Sequence, residues 1–174
     1  MVDGAPVWDS LAICEKVAEM FPEKQLWPAD FIARHVARSA CAEMHSGFGP
    51  LRNHCGMNCG LRITLREVPA ILQQDFTRID ELWCEGLRRW GGPMLAGERF
   101  TAVDAFFAPV AFRVLTYDIP LSANASAYSH RLLELPAMRD WYAAALRESW
   151  RDPDHEHEVR QYGVIDQDLR AGRE

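Results

Sequence analysis

Along most of this chain apolar residues recur at intervals of three and four, the spacing that gathers them on one face of an α-helix. The segment "DSLAICEKVAEMF" puts Leu11, Cys14, Val17, Ala18 and Phe21 on one stripe, and Pro22 ends it. "PEKQLWP" reads as a linker. From Asp30 to about Gly47 the positions Phe31, Ala33, Ala37, Ala40, Cys41 and Met44 keep the helical rhythm until Gly47, Gly49 and Pro50 break it. "LRNHCGMNCGLRITLREVPA" has the least regular pattern and is expected to be a mobile loop. Glu67 to Trp90 predict a long helix with Ile71, Leu72, Phe76, Ile79, Leu82, Trp83 and Leu87 on its stripe, Pro69 being tolerable in the first turn. "GGPMLAGERF" is a turn-rich connector. Thr101 to about Tyr117 is apolar on all sides, which predicts a central buried helix. Pro109 inside it removes a backbone hydrogen bond and should bend the axis. Two more helices are predicted over roughly 122–134 and 136–149, the second opening with Pro136 at its first position. The stretch from Arg151 onward is charged and expected to be partly disordered. There is no internal repeat and little strand, so the fold class predicted is an all-α bundle.

Composition narrows the function without naming it. A chain of 174 residues suits one domain and can bury a sizeable core. Its 48% hydrophobic and 25% charged residues are ordinary for a globular protein. A formal net charge of -6 argues against general binding to nucleic acid or to an anionic membrane, since both repel a net anion. No secretory leader pattern and no run of roughly 18 apolar residues is visible, which makes the cytoplasm the expected compartment.

Five cysteines form an odd count with no disulfide-scaffold spacing. Cys14, Cys41 and Cys84 fall within helical patterns and read as small buried hydrophobes. "HCGMNC" offers His54, Cys55 and Cys59 as metal ligands, but C-x3-C with one His and no second ligand pair points instead to a glycine-rich loop with free thiols, and no metal is predicted. His155, Glu156 and His157 alternate in a charged segment and are expected to be solvated. Trp8, Trp27, Trp83, Trp90, Trp141 and Trp150 read as core anchors or domain-interface residues, because the basic interleaving that nucleic acid needs is missing. "FTAVDAFF" carries a capping box: the Thr101 hydroxyl can accept from the N–H of Asp104 while the Asp104 carboxylate reaches back to the N–H of Thr101. Its role is architectural.

The segment "GGPMLAGERFTAVDAFFAPVAFRVLTYDI" is similar to the glycine-rich loop, capping box and core helix of the C-terminal helical domain of cytosolic glutathione transferases. "LWPADFIARHVARSACAEMHSGFGPLR" resembles the paired first helices of that domain in a bacterial branch, and "LLELPAMRDWYAAALRE" its closing helix. The opening "VDGAPVWDSLAICEKVAE" looks like the last strand edge and last helix of the thioredoxin-like domain that precedes it in the family, with a turn at Asp3-Gly4. The resemblance implies a remnant of that domain over 1–22, the helical domain over 23–150 and a charged tail over 151–174. The first βαβ unit, the catalytic Ser, Cys or Tyr and the cis-proline clamp of the family have no counterpart, so the catalytic residue stays unassigned.

By the same resemblance Asp9 and Ser10 would hold the γ-glutamyl end of glutathione, the co-substrate, with the helix start supplying free N–H groups for its carboxylate. The plainer reading is that Asp9 or Ser10 merely caps the helix. Arg34, Arg38 and His45 share a helix face; in the family this helix lines the electrophile pocket. Arg38 would bind a carboxylated substrate or favour a thiolate, and His45 would serve as acid or base; the alternative is a solvated, charge-balanced face. Three functions stay open: glutathione transfer to a small hydrophobic electrophile, incomplete in this chain; a helical protein–protein module, with a homodimer among its forms; and a small-molecule carrier with a pocket between helices.

Overall fold

A computed structural model of the chain describes residues 4–170, so Asp3 of the predicted opening turn and the last four residues of the tail lie outside it. Along the described residues run α1 (Ser10–Met20), α2 (Phe31–Ser46), α3 (Gly49–His54), β1 (Leu61–Leu65), α4 (Ala70–Trp90), α5 (Ala102–Tyr117), α6 (Ala123–Leu133), α7 (Pro136–Arg147), α8 (Pro153–Tyr162) and β2 (Gly163–Asp168). The backbone divides into two compact units: residues 4–47 with 85–107, and residues 48–84 with 108–170.

The helix starts follow local chemistry. Asp9 caps α1 and Asp30 caps α2, its carboxylate accepting from the N–H of Ala33 at 2.7 Å. Pro69 stands just ahead of α4 rather than within its first turn, and its carbonyl accepts from Gln73 at 3.0 Å. In the first unit α2 buries Ala33, Ala37, Cys41 and Met44, one stripe at helical spacing. Phe31, expected on that stripe, is 62% exposed, because it is the first residue of the helix and sits at the end of the buried face. The capping box closes this unit. Asp104, completely buried, accepts from the N–H of Thr101 at 2.8 Å and from the N–H of Leu95 at 3.0 Å. The Thr101 hydroxyl turns to the same carboxylate, 3.3 Å away, so one side chain gathers the helix start and the connector before it.

In the second unit the expected all-α fold is amended by a two-stranded antiparallel sheet. β1 pairs with β2 from Leu61↔Asp168 to Leu65↔Gly163, with an irregularity between Arg62 and Ile63. Leu61 and Ile63 are buried while Thr64 is exposed, the alternation of a strand covered on one face. Residues 153–168, expected to be partly disordered, instead form α8 and β2. Asp152 caps α8 through the N–H groups of Asp154 and His155 at 3.0 and 3.2 Å. Gly163 joins helix to strand where a Cβ would lie 2.3 Å from Ile63 Cγ2.

The predicted mobile loop is also corrected. Residues of α5 hold four consecutive positions ahead of β1. Arg113 Nε donates to the Cys55 carbonyl at 2.8 Å and the Tyr117 hydroxyl to the Gly56 carbonyl at 3.0 Å. Arg113 also stands 3.9 Å from Met57 Sδ, and the Thr116 hydroxyl donates to the Asn58 carbonyl at 2.5 Å. Asn58 Oδ1 then accepts from the N–H groups of Gly60 and Leu61, turning the chain into β1. α5 is as buried as predicted, with Val110, Ala111 and Phe112 almost inaccessible. Trp83 stacks edge-on against Tyr128 with centroids 5.0 Å apart.

Candidate functional site

The expected glutathione end and one expected pocket residue meet in the first unit. Asp9 has a φ of +72°, a backbone region where a residue other than glycine is strained by about 1–3 kcal/mol. There its Oδ1 accepts from the N–H of Leu11 at 2.9 Å, which makes it the N-cap of α1. Its Oδ2 lies 2.8 Å from His45 Nε2 on the last turn of α2, a geometry in which that nitrogen carries the proton. Ser10 stands exposed beside it at the first helical position. The first-turn amides carry partial positive charge, and the Asp9 carboxylate already takes one of them, the N–H of Leu11.

Arg38 is placed elsewhere. Its guanidinium forms a bidentate pair with Glu15 of α1, at 2.6 and 2.7 Å, and lies over the Trp27 ring with 5.3 Å to the centroid. The hydrogen bond to Glu15 pushes the Arg38 pKa further up. Glu15 carries no sequence signal for this role, since a partner 23 positions away shares no periodicity with α2. A cavity of about 420 Å³ opens along these side chains, lined among others by Trp27, Phe31, Arg34, His35 and Arg38. Trp27 is buried and its indole Nε1 has no hydrogen-bond partner among the described residues. Asp9, Ser10 and His45 are not among the lining residues.

The thiols sort differently from the prediction. Cys41 is buried, but Cys14 and Cys84 are only half-buried; Cys84 Sγ lies 3.1 Å from the Ser122 hydroxyl, a polar contact rather than a core one. Cys55 and Cys59, expected in a glycine-rich loop with free thiols, are free and buried, and burial pushes their thiols up to about 12 and about 11. His54 Nδ1 sits 2.9 Å from the Pro50 carbonyl and its ring packs on Tyr162. Among the described residues no group of three His, Cys, Asp or Glu stands close enough to hold a metal. His155 Nδ1 faces Glu158 Oε2 at 3.2 Å, and Glu156 is taken up by Arg170. Of the tryptophans expected as core or interface anchors, Trp27 and Trp83 are core, whereas Trp8, Trp141 and Trp150 are 76%, 41% and 67% exposed. No helix among the described residues is long and apolar enough to cross a membrane.

Solved structures share this fold. The chain is similar to a glutathione transferase homologue from Burkholderia GL BGR1, whose crystal structure contains bound glutathione, at a TM-score of 0.58 and 20% identity over 83% of this chain and 70% of that one. It is likewise similar to glutathione transferase F2 from Populus trichocarpa, at a TM-score of 0.56 and 14% identity over 83% of this chain and 73% of that one. No family model and no curated protein matches the sequence. The fold is glutathione-transferase-like.

Proposed function

We propose that the chain serves glutathione transfer to a small hydrophobic electrophile, in the cytoplasm, as the helical part of a two-domain catalyst. The observation that carries this reading is the corner where Asp9, Ser10 and the start of α1 meet His45, on a glutathione-transferase-like fold. In this reading the γ-glutamyl carboxylate sits on the Ser10 hydroxyl and the first-turn amides, and its ammonium takes Asp9 Oδ2. The imidazole of His45 then gives up that oxygen and serves as the acid or base of the reaction. Arg38 fronts the electrophile side next to Trp27 and Phe31, where a carboxylated substrate competes with Glu15 for its guanidinium. In the reaction the glutathione sulfur bonds to an electrophilic carbon and the leaving group departs with the bonding pair. The thiol proton must go to a base and the thiolate needs a donor. Neither is supplied at Asp9, Ser10 or Arg38, so a thioredoxin-like domain completes the site.

Isothermal titration of the full chain with glutathione tests the reading. Asp9→Asn is the informative variant, because Asn caps a helix as well as Asp and the fold is left intact. Asp9→Asn and Ser10→Ala are each expected to weaken glutathione at least about tenfold, the loss of one charge-assisted hydrogen bond. Absence of saturable glutathione binding, or equal binding by both variants, rejects it. With 1-chloro-2,4-dinitrobenzene, turnover is expected only after a thioredoxin-like domain is added.

A second reading, a helical module for protein association, is favoured by one observation. α1 has no buried residue, and Trp8, Phe31 and Ile32 in the same unit are 76%, 62% and 52% exposed. Sedimentation equilibrium decides it: a homodimer lost in Phe31→Glu supports this role, and a monomer at all concentrations removes the homodimer.

A further inference from the structure

The second unit holds a cavity that the proposed glutathione corner does not use. It has a volume of about 480 Å³ and opens among α5, α6 and α7, within the range of small-molecule sites. Its aromatic walls are Phe112 and Tyr142, stacked at 27° with centroids 6.0 Å apart. Leu115, Ile119 and Leu133 add aliphatic surface. Ser129 of α6 also lines it, and this residue is completely buried with a hydroxyl that has no hydrogen-bond partner among the described residues. A serine inside a helix can return its hydroxyl to the carbonyl one turn back; here it does not. A buried hydroxyl left unpaired is a cost that a bound polar atom relieves. Charge on the lining excludes one ligand class. Asp118, His130, Glu134 and Arg139 line it, and the Arg139 guanidinium is ion-paired with Glu134. With two carboxylates on the wall and the Arg139 guanidinium already paired, an added anion is disfavoured here.

We propose that this cavity binds an uncharged aromatic molecule carrying one hydroxyl or carbonyl group, its ring lying along Phe112 and Tyr142 and its polar atom bonded to Ser129 Oγ. The site is independent of the glutathione reading, which rests on residues of the other unit.

Three ligands with the same ring test it on the full chain: 1-naphthol, naphthalene and 1-naphthoate. Binding is followed through tryptophan fluorescence, since the Trp141 ring stands 4.9 Å from that of Phe112. One saturable site is expected for 1-naphthol, with naphthalene about 5–10-fold weaker, the value of one hydrogen bond at a buried group, and 1-naphthoate weaker still. Ser129→Ala should lower 1-naphthol to the level of naphthalene and leave naphthalene unchanged. Ser126→Trp, which fills the cavity from α6, should abolish both. If that variant does not fold, amide chemical-shift changes on adding 1-naphthol to the wild type locate the site instead, and they are expected on α5–α7. The proposal is overturned by any of four results: no saturable 1-naphthol binding, an unchanged naphthol-to-naphthalene ratio in Ser129→Ala, tighter binding of the naphthoate, or shifts centred outside those helices.

Discussion

At the scale of single residues, burial decides what the five thiols can do. Cys41 is raised to about 12, like Cys55, chiefly because burial disfavours its thiolate, and Cys59 follows at about 11. At pH 8 these three remain protonated, so iodoacetamide is expected to label only Cys14 and Cys84 in the native chain. Mass spectrometry of the labelled peptides checks this, and modification of Cys55 before denaturant is added contradicts it. The sequence pattern was readable for Asp104, because a capping box is a local contract between residues three apart. It misled at Cys84, where helical periodicity points to a stripe but Ser122 and Asp80 supply a polar neighbourhood from 38 and 4 positions away. Asp9 was legible as a cap, and its pairing with His45 was not, since nothing local ties those two positions.

At the scale of elements, six helices (α1, α2 and α4–α7) follow from apolar spacing and punctuation, while α3, α8 and the sheet do not. "LRITL" alternates as a strand should, but a strand of five residues needs a partner, and Thr64 finds Asp166 across 102 positions, its hydroxyl 2.8 Å from the carboxylate. The order of residues 55–58 likewise comes from α5. Thr116→Val deletes one of its bonds to that segment and leaves the Asn58 carbonyl without that donor. A loss of about 1–3 kcal/mol is expected, read as a lower urea midpoint together with faster amide exchange at Gly60 and Leu61. Gly163→Ala drives a methyl against Ile63 and toward the Thr64 carbonyl, 3.1 Å from the added carbon. It should cost about 1–3 kcal/mol as an overpacked site. A variant as stable as the parent in urea would show that β1 yields more easily than its packing suggests.

At the scale of the whole molecule, charge governs behaviour toward acid. With a sequence pI of about 5.5, solubility is expected to be lowest near that pH. Below it a specific loss sets in. Arg170 is buried and donates to both Asp168 and Glu156, with Nε 2.9 Å from Asp168 Oδ1 and Nη2 3.2 Å from Glu156 Oε2. The hydrogen bond from Arg170, more than any other influence, holds the Glu156 carboxyl below its ordinary value. A depressed carboxyl contributes stability that is complete above its unfolded pKa of about 4.3 and is lost as pH falls through the folded value. Glu156→Gln should therefore be less stable by about 1–3 kcal/mol at pH 7, and the gap to wild type should narrow steadily below about pH 4. A gap that stays constant with pH in denaturant titrations rules the carboxylate out as its source. The pairing of β1 with β2 also has a consequence in time. A ribosome adding roughly 5–20 residues per second presents β1 some 5–20 seconds before the residues that complete its ladder exist. Through that interval Arg62 and Arg66 flank an apolar Leu-Ile-Leu edge, and such charges are expected to discourage a nascent strand from pairing with its neighbour's.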